Sequence, residues 1–363
     1  MPHGADALHV ITVLPPSERF AAGEAGAIAL LVRRMATQTE TIIGQPPLGA
    51  AFPGIHFVPV APAFRPYSLT RRYAVAVARA VKKLKPDLLE VHNRPDLALL
   101  LRKLCPSVPV MLLLHNDPCF MRCARTTEER TKLARTLQVV AVSEWIRNRF
   151  LSENVTASVS ILPNSIAIAD MPPRPPVRDK LILFAGRVVA DKGVDTFVAA
   201  CRDTLLIRPD WRAEIIGADR FGPDSPETPF LARLRPQAKA AGVSLPGYKP
   251  HDEVLTAMAR AAIVVVPSRW AEPFGMAALE AMASGAALIV SDRGSLPAVV
   301  GEAGLYCNPD DVSSLTQCLL RLTDDARLRQ SMGEAALKRA RTFDVAAIKQ
   351  QRAKLHQSIL HSQ

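Results

Sequence analysis

Residues 263–285 read IVVVPSRWAEPFGMAALEAMASG. Ile263 to Val266 form a β-branched run that suits a buried strand. A polar loop follows and carries Glu272; Pro273, Phe274 and Gly275 then open a helix that holds Glu280. Gly275 permits close backbone approach, and the unpaired first-turn N–H groups, at the positive end of the helix, face an anion. Glu272 stands before the helix and Glu280 about two turns inside it, so the two reach different parts of one ligand. A carboxylate accepts hydrogen bonds from two hydroxyls, which suits a sugar diol.

Outward from this unit, residues 184–193, FAGRVVADKG, repeat the strand–loop–helix pattern. Arg187 and Lys192 lie within six residues of one another at the carboxyl end of that strand, placed to grip a diphosphate. Neither segment is a G-x-x-x-x-G-K-[ST] loop, and no G-x-G-x-x-G follows the first strand, which counts against a standard dehydrogenase. Strand candidates at 8–14, 55–60, 88–92, 108–114 and 139–142 alternate with helix candidates at 24–35, 69–84, 96–104 and 126–136. MPPRPPVRD, residues 171–179, has four prolines in nine residues and reads as a stiff, extended linker. Strands at 180–185, 212–216, 263–267 and 287–291 then alternate with helices near 193–205, 230–240, 250–261 and 274–283, followed by helices at 312–323 and 325–341. The expected fold class is α/β, with two Rossmann-like, doubly wound domains, 1–170 and 180–344, facing a central cleft. Residues 345–363 form a terminal helix, a candidate to return to the first domain.

FAGRVVADKG and EPFGMAALEAMASG resemble the donor-site motifs of family four of the retaining glycosyltransferases, which have the GT-B fold. E-P-F-G-x-x-x-x-E matches that family's E-x7-E motif. Weaker matches are GEAGAI at 23–28, EVHNRP at 90–95, LLLHNDP at 112–118, VAVSEWIRNRFL at 140–151, ILPNS at 161–165 and SDRGSLPAVVGEAGLYCNP at 291–309. The resemblance implies that Arg187 and Lys192 neutralise the donor diphosphate, Glu280 binds the ribose, and Glu272 holds hydroxyls of the transferred sugar. It places the amides of Phe274, Gly275 and Met276 along sugar and phosphate, and Tyr248 and Lys249 beside the nucleobase. Gly26 would admit the first-domain loop to the phosphates, and His115 would stand beside the anomeric centre, a catalytic candidate with Arg187, Lys192 and Glu272. His92, Asn93 and Arg94 are candidates for the acceptor side. The implied reaction is a same-face displacement in which the leaving phosphate helps deprotonate the acceptor. The donor would be a UDP- or GDP-sugar co-substrate, with no bound cofactor; no D-x-D triplet occurs to hold a metal-bridged diphosphate. The chain departs from the family at Gly294-Ser295-Leu296-Pro297-Ala298, at Asn164-Ser165 and at Gly23-Glu24-Ala25-Gly26, where Gly-Gly then Leu-Pro-Glu, Asn-Gly and a tight Gly-Gly pair are usual.

Composition bounds the alternatives. The 363 residues suffice for two cores, 48% of them are apolar, and no run of about 18 uncharged apolar residues occurs. The first residues lack a basic n-region, so no signal peptide is expected, and six scattered cysteines without a C-x-x-C pair read as reduced, cytosolic thiols. Residues 1–178 carry 22 Lys/Arg against 13 Asp/Glu, while the remainder is near neutral. On a wheel of residues 68–85, Arg71, Arg72, Arg79, Lys82 and Lys83 share a side opposite Tyr73, Val77, Ala80, Val81 and Leu84. Such a face can simply be solvated; it also suits an anionic membrane surface and a glycan or lipid-linked acceptor, as in cell-surface polysaccharide or lipopolysaccharide synthesis. The expected location is cytoplasmic, peripheral on the inner face of the cytoplasmic membrane. A nucleic-acid partner is not expected despite a pI near 9.7, because no basic–aromatic interleaving occurs. The competing readings are a nucleotide-sugar epimerase and an inactive relative acting as a binding partner.

Overall fold

Strands that are β-branched and apolar along their whole length, with helices between them, must be covered on both faces, and a parallel sheet does this. The computed structural model describes residues 8–62, 67–219 and 227–361. The chain divides into two compact units, Met1–Ser165 with Val345–Gln363, and Ile166–Asp344. The division falls after Ser165, so the proline-rich stretch 171–179 lies within the second unit and the terminal helix within the first.

The first unit is built in the order β1 (Val10–Val13), α1 (Ala27–Met35), β2 (Thr41–Gly44), β3 (His56–Pro59), α2 (Leu69–Leu84), β4 (Leu88–His92), α3 (Pro95–Leu104), β5 (Val110–Leu114), α4 (Thr127–Thr136), β6 (Gln138–Ala141), α5 (Glu144–Leu151) and β7 (Ser160–Ile161). Its seven strands are parallel and run β3-β2-β1-β4-β5-β6-β7. The second unit follows with β8 (Asp179–Ala185), α6 (Val194–Ile207), β9 (Arg212–Ile216), α7 (Pro229–Ala240), β10 (Val243–Gly247), α8 (His251–Arg260), β11 (Ala261–Val266), α9 (Met276–Ser284), β12 (Ala287–Ser291), α10 (Leu296–Val300), β13 (Leu305–Cys307), α11 (Val312–Asp324) and α12 (Ala326–Ala340). Its six parallel strands run β10-β9-β8-β11-β12-β13. The last helix, α13 (Val345–His361), belongs to the first unit. In both sheets the strand order reverses once, between β1 and β4 and between β8 and β11, and loops leaving the carboxyl ends of strands at such a point open a crevice for ligands.

Several boundaries differ from the sequence reading for local reasons. The first helix starts at Ala27, not Glu24: the Glu24 carboxylate accepts the Leu48 and Gly49 N–H groups at 2.9 Å each and holds the preceding loop in turns. The strand Thr41–Gly44 escapes a periodicity search because four residues buried on both faces show no alternation. The helix Glu144–Leu151 is started by the Ser143 hydroxyl, which accepts from the Ile146 N–H at 3.2 Å. On α2, Tyr73, Val77 and Val81 are buried as expected, and Arg71, Arg79, Lys82 and Lys83 are exposed. Arg72, however, is half-buried, because a 16-residue helix lying on a sheet takes its flanks inward with its apolar stripe.

Candidate active site

In the second unit the loops after β8 and β11 flank the switch point. The β8 loop carries exposed Arg187 and half-buried Lys192, and the β11 loop carries Glu272. Lys192 Nζ donates to Glu272 Oε1 in an ion pair that is largely shielded on both sides. Two residues 80 positions apart in sequence thus meet at the carboxyl edge of adjacent strands. What holds the loops together is a residue the sequence did not single out. The Arg269 and Trp270 N–H groups both donate to the Asp191 carbonyl at 2.9 Å, and the Arg269 guanidinium donates to the Ala190 carbonyl at 2.8 Å and to Asp195 at 2.7 Å. The only sequence signal was an arginine directly after a strand.

Gly275 caps α9 in the left-handed region at φ 94°, and no side chain caps the first turn of that helix, leaving its amides oriented for an anion. Phe274 is buried with its ring edge-on to Phe343 at 5.8 Å, so its side chain belongs to the core; Met276 is half-buried. Glu280 sits two turns on and accepts from His251 Nε2 at 2.8 Å, which makes His251, at the start of α8, a neighbour that sequence reasoning missed. Tyr248 is exposed after β10, and Lys249 pairs with Glu253 at 3.1 Å. Gly294, at φ 61°, packs so tightly on the Glu272 main chain that a Cβ there would collide with it. The adjoining Ser295 N–H donates to the Glu272 carbonyl at 2.8 Å, and its hydroxyl to the Pro273 carbonyl at 2.6 Å.

In the first unit, Gly26 precedes α1, and the carboxylate of Glu18 accepts from the Ala29 N–H at 3.2 Å, so the protein's own anion stands at that helix end. His92, ending β4, and His115, following β5, are buried and stacked, with ring centroids 5.1 Å apart. His92 Nδ1 lies 2.9 Å from His115 Nε2, and His92 Nε2 lies 2.8 Å from Glu90 Oε1. Asn93, at φ 55°, accepts through its side-chain oxygen from the His115 and Asn116 N–H groups at 3.0 and 3.1 Å. Arg94 turns away from this group and forks onto Asp96 at 2.8 and 2.9 Å. Behind the histidines, α13 supplies Arg352 and His356, which donate to Glu90 Oε2 at 2.9 and 2.8 Å, while Arg352 also pairs with Glu40. Burial alone would raise the Glu90 carboxyl, but the Arg352 charge and the bonds from His356 and His92 hold it well below the usual carboxylate range. Burial, joined by the His92 ring, pushes His115 down to about 3. The sequence cue to Glu90 was a carboxylate inside an otherwise apolar strand; Arg352 and His356, one turn apart on a polar helix, gave none.

Two family matches cover both units. Residues 28–170 match the Glycosyltransferase Family 4 model, and residues 169–339 match the Glycosyl transferases group 1 model. The fold is that of solved GT-B glycosyltransferases. A sucrose-phosphate synthase from Thermosynechococcus elongatus superposes with a TM-score of 0.79 at 18% identity, over 98% of this chain and 100% of that one. The Anabaena protein HepE, solved with UDP-glucose, gives 0.72 at 16% identity over 96% and 99% of the two chains. Among curated relatives, an exopolysaccharide phosphotransferase of Streptomyces coelicolor is 28% identical over 270 residues, covering 72% of this chain. This chain spans 27% of that relative's length. The chain therefore has the GT-B fold, and its first unit matches the Family 4 model and its second unit the group 1 model.

Proposed function

We propose that this chain moves a hexose-type sugar from a UDP- or GDP-sugar onto a glycan or lipid-linked acceptor, with retention at the anomeric carbon. The observation that carries the reading is the Lys192–Glu272 pair at the switch point, with Arg187 on the same loop and Glu280 two turns into the helix that follows. Each charge is placed to exchange its protein partner for a donor group: Lys192 for a phosphate oxygen, Glu272 for sugar hydroxyls. Arg187 and Lys192 stabilise the charge that develops as the C1–O bond to the diphosphate breaks. The acceptor oxygen bonds C1 on the same face, and its proton passes to the departing phosphate oxygen. HepE, solved with UDP-glucose, supports a nucleotide-sugar donor, and the Streptomyces relative supports a polysaccharide acceptor. The nucleotide sugar is a co-substrate, and neither a metal nor an organic cofactor is required. The reaction takes place in the cytoplasm, at the inner face of the membrane that presents the acceptor.

The test is to incubate the protein in EDTA with UDP-glucose, GDP-mannose and ADP-glucose in turn, with lipid-linked and soluble glycan acceptors, and to follow nucleoside diphosphate release and product anomer by NMR. Release of diphosphate coupled to an α-linked product from an α-donor is expected. An inverted product overturns the retaining mechanism, epimerised free donor favours the epimerase reading, and activity restored only by a divalent metal overturns the metal-free one.

A further inference from the structure

His115 Nδ1 is buried and has no hydrogen-bond partner among the described residues, although the ring as a whole is only 8% exposed. Leaving such a group unpaired costs about 1–3 kcal/mol, so the atom is either strained or kept for a partner that arrives later. Which partner it can take depends on whether Nδ1 carries a proton, and the hydrogen-bond chain behind the ring decides that.

We propose that Glu90, His92 and the α13 pair Arg352 and His356 form a buried relay that locks His115 in one tautomer, with Nε2 protonated and Nδ1 bare, so that the ring offers a hydrogen-bond acceptor to a hydroxyl entering the cavity beside it. The inference rests on reading the chain as a sugar transferase. An ionised carboxylate only accepts, and Glu90 accepts from Arg352 and His356 through Oε2 and from His92 through Oε1. The single proton of a neutral His92 ring is therefore on Nε2, which leaves His92 Nδ1 bare. That nitrogen lies 2.9 Å from His115 Nε2, and two lone pairs cannot face each other at hydrogen-bond distance, so His115 carries its own single proton on Nε2. The free end of the ring is then a lone pair in a dry setting. It selects a donating group, such as a hydroxyl, and rejects one that can only accept.

The surroundings fit. His115 borders a cavity of about 30 Å³ together with His92, Asn164 and Ser165, on the carboxyl side of the sheet. That volume holds one water or one hydroxyl. The relay gives a role to α13, whose Arg352 and His356 are buried with Glu90 and lie far from the histidines in sequence. Glu90, His92, Arg352 and His356 are thus positioning residues that act through His115.

Nitrogen-15 NMR on the full-length chain with labelled histidine tests this directly, with the His115 signals assigned from their loss in His115→Phe. In the free wild-type protein at neutral pH, His115 should show a protonated Nε2 and a bare Nδ1, and the Nδ1 signal should move on addition of UDP-glucose or GDP-mannose but not of UDP or GDP. A protonated Nδ1, or a mixture of both tautomers, overturns the relay. His92→Phe, which removes the acceptor facing His115 Nε2, should let the tautomers mix and lower kcat roughly 10- to 100-fold, the range a bond to a charged group spans, with donor KM held. His92→Gln, whose amide oxygen can still accept from His115 Nε2, should restore both. A slowed His92→Phe enzyme with an unmixed tautomer would also overturn the relay. A bare Nδ1 in a protein that transfers no sugar would leave the relay standing and refute the transferase reading instead.

Discussion

At the scale of single residues, the candidate site is a set of charges that satisfy one another. Lys192 is paired with Glu272, and Glu280 with His251. Such pairs compensate these charges, and on the proposed reading a diphosphate sugar offers Lys192 a phosphate oxygen and the two glutamates hydroxyl donors. Lys192→Ala and Arg187→Ala should therefore each lower kcat about 100-fold or more at saturating donor, the cost of removing one charge-stabilising group from a transition state. Near-wild-type turnover in both would remove the phosphate assignment. Glu280→Ala should weaken binding of the free nucleoside diphosphate, whereas Glu272→Ala should leave that binding intact and depress transfer. Calorimetric titration of UDP and GDP, set beside steady-state rates, separates the two, and equal nucleotide affinity in Glu280→Ala and wild type would refute its ribose role.

At the scale of elements, the loop between β11 and α9 is shaped from behind by the turn after β12. Gly294 holds a left-handed φ of 61° against the Glu272 main chain, and the Ser295 N–H bonds the Glu272 carbonyl. Gly294→Ala carries about 1–3 kcal/mol of backbone strain before any clash is counted. Its thermal unfolding should fall accordingly and its transfer rate with it; wild-type values for both would show that this turn does not set the loop. The packing of β4, β5 and α13 makes a second element-scale prediction. His115 is held neutral down to about 3 against an ordinary value of 6.5, so between those values the unfolded chain binds a proton that the folded one refuses. Stability is therefore complete above 6.5 and declines as pH falls, by up to about 1.4 kcal/mol per unit for this one group. Below the ordinary carboxylate value of 4.5, Glu90 adds to the loss in the same direction as its carboxylate is titrated. Urea titrations at pH steps should show this slope, and His115→Phe should flatten it above about 4.5 while leaving the lower limb.

At the scale of the molecule, charge is unevenly shared: residues 1–178 hold 22 of the 45 basic groups but only 13 of the 34 acidic ones. Part of that excess is displayed on α2, where Arg71, Arg79, Lys82 and Lys83 are exposed and Tyr67 and Leu69 stand uncovered at the helix start. No helix among the described residues is long and apolar enough to cross a membrane. Attachment through these exposed cations would be electrostatic, fading as the Debye length shrinks from about 10 Å at 0.1 M salt to about 3 Å at 1 M. Arg71, Arg79 and Lys83 replaced together by glutamine should reduce co-sedimentation with anionic vesicles and leave nucleotide affinity unchanged. Wild-type protein that fails to sediment at low salt would end the membrane reading.

The local chemistry of the chain determined its fold class. Apolar β-branched runs, helices between them and short polar loops admit little besides parallel sheets. The strand–loop–helix segments at 184–193 and 263–285 singled out Lys192 and Glu272, which the structure brings together. Short or edge strands such as Thr41–Gly44 and Ser160–Ile161 stayed hidden, since two to four residues carry no period. What only the tertiary structure decided is which distant residues share one charge or one proton. Lys192 meets Glu272 because β8 and β11 are neighbours, and Arg352 meets Glu90 because α13 packs with the first unit. Burial, and with it the depressed affinity of His115 for a proton, arises from that packing. No stretch of sequence contains it.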